Sequence, residues 1–74
     1  MPTEVARVRV SMDGKIYLND RVVTLDDLNV EFQRLAKVHG GVWFFDESFP
    51  GPSRQQGQTV KKAIINAKLP IRVG

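Results

Sequence analysis

The sequence holds no cysteine, which excludes disulfide staples and thiol chemistry and leaves the redox compartment open. Its single histidine, His39, rules out a multi-histidine metal site within one chain. No stretch approaches 18 consecutive apolar residues, so no transmembrane helix is expected. Dense cationic runs are absent too. Of eleven basic residues only Lys61 and Lys62 are adjacent, and no basic tract marks a nucleic-acid patch. Eleven bases against eight acids leave a net charge of +3. That balance reads as a mildly basic surface or, more sharply, as affinity for an anionic polymer. No nucleophile stands at a recognisable spacing from a group that would activate or orient it, so no catalytic residue is assigned. No cofactor or metal is expected.

What is present is enough for one domain. The 74 residues are 42% hydrophobic, an ordinary globular fraction, and the core they can bury is modest. Residues 1–4 read as a loose end and 5–74 as a single α/β domain. The chain is organised around Gly40-Gly41-Val42-Trp43-Phe44-Phe45-Asp46, where four apolar residues run without a polar break. A continuous apolar run bounded by turn residues predicts a strand buried on both faces. We therefore expect it to be the central strand, with Trp43 in the core rather than acting as a stacking platform.

Upstream, Val8, Val10 and Met12 alternate with Arg7, Arg9 and Ser11, the pattern of a half-buried antiparallel strand. Asp13-Gly14 predicts a two-residue hairpin loop, and Ile16 and Leu18 resume the alternation with Tyr17 on the other face. Asn19-Asp20 is a second turn signal, followed by a short extended piece at Arg21-Val22-Val23. Thr24 is a candidate N-cap, with Asp26 and Asp27 in the first turn and Thr24-x-x-Asp27 forming a capping box. Leu25, Leu28, Phe32, Leu35 and Ala36 then share one helical face over 25–38. Gly40 is the candidate C′ residue, and His39 lies where the helix dipole favours a cation. After the apolar strand, Pro50 and Pro52 forbid a regular element in a loop running to Gly57. A second helix opens at Gln58 or Thr59, buries Val60, Ala63, Ile64 and Ala67, and stops near Leu69 ahead of Pro70. Ile71-Arg72-Val73 is a last strand. The expected fold is α+β, a two-layer α/β sandwich of order β-β-α-β-α-β with both helices packed on one sheet. Its final β-α-β unit should be parallel.

Several residues suit binding. Tyr17, outward on the hairpin near Arg7 and Arg9, reads either as a cross-strand aromatic–Arg cluster or as a stacking surface for a base or sugar. Phe49, inside the Pro/Gly loop, either folds over the core edge or anchors a partner. Arg54 belongs to Gly51–Gly57, a segment leading into a helix that lacks the spacing of a phosphate loop. Ile71, Arg72 and Val73, as a short outer strand, offer unpaired backbone to a partner or a second copy. Asp46-Glu47 reads either as an acid/base or cation site or as the solvated end of a strand.

Val8-Arg9-Val10, then Asp13-Gly14-Lys15-Ile16-Tyr17-Leu18-Asn19, then Val23-Thr24-Leu25-Asp26-Asp27-Leu28, resembles the periplasmic domain of the ExbD/TolR family. There a hairpin of the form V.V..DG.IYLN precedes V.LDEL...L. Val60 to Ile71 resembles that family's last helix and terminal strand, and the similarity runs from about residue 5 to 73. The chain departs from the family in two ways. It carries no transmembrane helix with a proton-conducting Asp, so no proton-path residue is transferred. Asp46 matches the acid that follows the family's central strand, but Glu47–Gly57 is longer and richer in proline. The resemblance implies a non-enzymatic, dimeric module of an ion-driven membrane motor for biopolymer transport. It would bind a protein partner or cell-wall polymer through strand and loop surfaces, and would touch a membrane only through a segment absent from this chain. It also implies a periplasmic location if the chain is an excised domain; otherwise the expectation is cytoplasmic. The second reading is a small basic nucleic-acid-binding or regulatory domain using Arg7, Arg9, Lys15 and Tyr17.

Overall fold

The hairpin that opens the fold is built as the alternation predicts, with a different turn. In the computed structural model, which describes residues 4–74, β1 (Val5–Val10) pairs antiparallel with β2 (Ile16–Leu18). The connection is longer by one residue than the two-residue loop expected. The Gly14 N–H donates to the Ser11 carbonyl at 3.0 Å, and the Ser11 N–H donates to the Lys15 carbonyl at 3.0 Å. Gly14 holds φ +86°, which closes a three-residue connection of turn plus left-handed residue. Met12 is thereby drawn into the turn and stands 67% exposed, not inward beside Val10. The Ser11 hydroxyl donates to Asp13 and the Lys15 N–H donates to it as well, which holds the Asp13 carboxyl below its ordinary value.

Arg21–Val23 is a full strand, β3, antiparallel to β2. Thr24 then caps α1 (Leu25–Lys37) through the expected capping box. The Asp27 N–H donates to Thr24 Oγ1 at 3.1 Å, and the Thr24 N–H donates back to the Asp27 carboxylate at 3.3 Å. The chain continues through β4 (Gly41–Asp46), α2 (Arg54–Asn66) and β5 (Ile71–Val73). The five strands form one mixed sheet in the order β3-β2-β1-β4-β5, with β1, β4 and β5 mutually parallel.

Both helices lie on one face, so the architecture is the two-layer α+β sandwich expected. Leu28, Phe32 and Leu35 of α1 and Val60 and Ile64 of α2 share one core with Ala6, Val8, Val10, Ile16, Val42 and Phe44 of the sheet. The sheet's other face has no layer over it among the described residues, and this corrects the expectation for β4. It is neither central nor buried on both sides: β1 is the middle strand, and Trp43 and Phe45 point away from the core. The loose end expected at 1–4 is corrected at Glu4; residues 1–3 lie outside the described residues. The Glu4 carbonyl accepts from the Gly41 N–H at 2.8 Å, and its carboxylate meets Arg34, which also binds Glu31 at 2.7 and 2.8 Å.

The helix ends also differ from expectation. Helix α2 begins at Arg54, four residues earlier than Gln58, because nothing after Pro52 bars a helix and Gly57 is accommodated inside it. Both helices close with the same double hydrogen bond past the C-cap. In α1 the Gly40 N–H reaches the Leu35 carbonyl (2.7 Å) and the His39 N–H reaches Ala36 (3.4 Å). In α2 the Leu69 N–H reaches Ile64 (3.4 Å) and the Lys68 N–H reaches Ile65 (2.9 Å). The left-handed position is therefore His39 (φ +57°) in α1 and Lys68 (φ +59°) in α2, neither of them glycine. Gly40 is needed for space instead, since a Cβ there would stand 2.7 Å from Leu35 Cδ2 and 2.9 Å from the Glu4 carbonyl. A left-handed residue with a Cβ is strained. His39→Gly is therefore expected to stabilise the fold by roughly 1 kcal/mol, raising Tm by about 4–8 °C. An unchanged or lower Tm on thermal denaturation would count against the strain.

Candidate functional site

The open face of the sheet gathers aromatic rings and guanidinium groups by strand register. Arg9 on β1 lies opposite Tyr17 on β2 and Phe45 on β4. Two residues back along the strands, Arg7 lies opposite Trp43, and Trp43 lies opposite Arg72 on β5. Alternation along each strand turns all six side chains outward, because their neighbours Ala6, Val8, Val10, Val42 and Phe44 are committed to the core.

The groups are interleaved closely. The Arg9 guanidinium sits 4.0 Å from the Tyr17 ring centroid, and that of Arg72 lies 5.5 Å from the centroid of Trp43. The Trp43 and Phe45 centroids are 5.0 Å apart and tilted by 36°. Two carboxylates rim the face: Asp20 pairs with Arg7 at 2.9 Å, and Glu47 pairs with Arg9 at 2.8 Å. The Glu47 hydrogen bond, opposed by some desolvation, holds the Arg9 guanidinium above its ordinary value, so its charge is permanent. These ion pairs are solvent-exposed, a class that adds little to stability and is readily exchanged for another partner.

Two shallow depressions meet at Trp43. One is floored by Tyr17, Trp43 and Phe45 between Arg7, Arg9 and Asp20. The other, a mostly apolar groove of about 470 Å³, runs beside Val5, Trp43, Ile71 and Arg72 toward the sheet edge.

Of the residues expected to bind a partner, Arg7, Arg9, Tyr17 and Arg72 come together on this face, and Ile71 lines the groove next to it. Val73 stands 66% exposed at the end of the edge strand. Phe49 does not fold over the core; it is 66% exposed in the segment between β4 and α2. Arg54 is the first residue of α2. Neither Phe49 nor Arg54 lines either depression.

Trp43 and Phe45 are the residues the sequence reading assigned wrongly, to the core. A signal for them exists in the element count. Two helices of 13 residues each cover one face of a sheet, so every strand of the sheet must present its alternate residues to the other side. An unbroken apolar run hides which alternate set that is.

The acidic pair separates. Asp46 turns to the helix side, where its carboxylate accepts from the Ser48 N–H (2.9 Å) and the Ser48 hydroxyl and abuts Gly57 of α2. Glu47 is held by Arg9 on the open face. The two carboxylates therefore do not converge on one site. Among the described residues no three His, Cys, Asp or Glu side chains stand together as metal ligands, and no helix is long and apolar enough to cross a membrane. No protein-family model matches the chain, and no curated protein matches it.

Proposed function

We propose that the chain is a non-enzymatic protein-interaction domain that docks an extended segment of a partner along β5, in the manner of an ExbD/TolR-type periplasmic module coupled to an energy-transducing partner. The observation that carries this reading is the free edge of the sheet. β5 is the last strand, and its ladder to β4 runs through Val42 N–H to the Pro70 carbonyl (2.9 Å) and Gly74 N–H to the Phe44 carbonyl (2.9 Å). In a parallel ladder the alternate residues face the other way, so the Ile71 and Val73 N–H and C=O groups turn outward. Such groups recruit another strand, and Ile71 and Arg72 of the groove belong to this edge strand. Further support comes from the run of hairpin, capping box, last helix and terminal strand that carries the family resemblance. In this reading the domain works in the periplasm and the incoming strand belongs to a partner protein or a second copy.

Val73→Pro tests it. Proline removes the outward N–H of residue 73 while leaving the Gly74 N–H that bonds to β4, and edge strands tolerate it. A photocrosslinker is placed at Arg72 on β5, and another at Val30, an exposed apolar position on α1. In cells, position 72 is expected to give an adduct of discrete mass, with no such product from position 30. Val73→Pro should abolish it with Tm changed by no more than a few degrees. An adduct at twice the mass of the chain identifies a second copy. Equal adducts from both positions, or an adduct indifferent to the proline, would sink the strand-docking reading.

A further inference from the structure

We infer that the open sheet face binds single-stranded nucleic acid, with Tyr17, Trp43 and Phe45 as stacking surfaces and Arg7, Arg9 and Arg72 as phosphate contacts. The inference starts from the chemistry of the face. Three rings and three guanidinium groups alternate across four adjacent strands, β2-β1-β4-β5. A complementary ligand must offer flat π surfaces and negative charges in alternation. An unpaired nucleotide strand does so at every residue, since each base has a π face and each linkage a charge.

The dimensions agree. Tyr17, Arg9 and Phe45 form one row, and Arg7, Trp43 and Arg72 form another two residues away. Two residues along a strand are about 7 Å, and neighbouring strands are about 4.8 Å apart. An extended nucleotide strand laid obliquely over the sheet thus meets a ring, then a cation, then a ring. A duplex offers no unstacked base to these rings.

The face is poised for exchange. Arg9 covers Tyr17 and Arg72 approaches Trp43, so the stacking positions are held by the same guanidinium groups that would bind phosphate. When a base takes the ring, the guanidinium swings to the phosphate, and its exposed ion pair with Glu47, or that of Arg7 with Asp20, is given up at little cost. Three cations against two carboxylates leave the face with a small positive excess, which sets affinity as modest and salt-sensitive.

The experiment uses the whole chain and a short fluorescein-labelled oligothymidylate in low salt. It reads anisotropy together with the fluorescence of Trp43, the sole tryptophan. Binding should quench Trp43. Three phosphate contacts to a single strand predict a log–log salt slope of about −2. Trp43→Leu should weaken binding roughly ten-fold, and Arg72→Ala should weaken it and flatten the slope by about 0.7, both with unchanged circular dichroism. Val73→Pro should leave oligonucleotide binding intact, because it acts on the outward backbone of β5, so this inference and the strand-docking reading fail independently. Absence of an anisotropy change would overturn the assignment. So would poly-glutamate, heparin or duplex DNA binding as tightly as the oligonucleotide without quenching Trp43, since that would mark a generic polyanion surface or an acidic protein partner.

Discussion

Phe32→Ala is expected to bring the domain close to the edge of folding at room temperature. Phe32 is 1% exposed and shares the core with Leu28 and Leu35 of its own helix and Val60 and Ile64 of the other. Truncating a buried phenylalanine removes its transfer free energy and leaves a cavity, together about 3–5 kcal/mol. A chain of 74 residues has a total stability of about 4–11 kcal/mol on the usual per-residue scale. The loss is therefore about a quarter or more of what holds the fold, and Tm should fall by about 12–40 °C. Val30→Ala on the same helix is the control: Val30 is 68% exposed, and alanine is the better helix former. If the two variants melt together, Phe32 does not anchor the core.

Gly57→Ala is expected to destabilise, against the rule for helices. Inside a helix, exchanging glycine for alanine gains about 1 kcal/mol. At this position the new Cβ would stand 2.5 and 2.6 Å from the Asp46 carboxylate oxygens and 2.6 Å from Ser48 Oγ. Those atoms cannot withdraw easily. Ser48 is fully buried, and its N–H and hydroxyl both bind the Asp46 carboxylate. Overpacking of this kind costs about 1–3 kcal/mol, so the net change should be a loss with Tm lower by several degrees. The mechanism has its own check. In an Asp46→Ala, Ser48→Ala background the obstruction is gone, and Gly57→Ala should then turn neutral or stabilising. A loss that persists in that background would place the cause elsewhere.

Gly57 also shows why part of the fold was legible and part was not. The hairpin alternation as far as Val10, the Thr24 capping box and the apolar faces of both helices are written in local spacing, and they stand where that spacing puts them, except that Ala36, expected on the inner face of α1, is exposed. The start of α2 is not local. Glycine after a Pro-rich stretch reads as loop, and only the Asp46–Ser48 cluster across from it explains a glycine four residues into a helix. His39 and Lys68 repeat the lesson at the other ends of the helices, since left-handed positions draw glycine by default and here carry side chains.

The candidate site was readable in its cations and not in its rings. Arg7, Arg9 and Tyr17 advertise an outward face by alternating with Ala6, Val8 and Val10 on β1 and with Ile16 on β2. Trp43 and Phe45 alternate with residues as apolar as themselves, so periodicity carries no information about which pair is buried. Only the pairing of β4 with β1 decides it, by setting Trp43 beside Arg7 and Phe45 beside Arg9.

The parallel arrangement of β1, β4 and β5 has a mechanical side. The beginning of β1 and the end of β5 lie at opposite ends of the sheet, with β4 between them bonded to both. Tension applied between Val5 and Val73 would run along the strands and across two ladders in series. The hydrogen bonds of each ladder would be loaded together, in shear, rather than opened one after another like a zip. The same domain pulled from Val10 and Val73 would meet a different resistance, since both points lie at one end of the parallel strands and the ladders would open pair by pair. Its stiffness is therefore directional, greatest along the line that joins the first strand to the last.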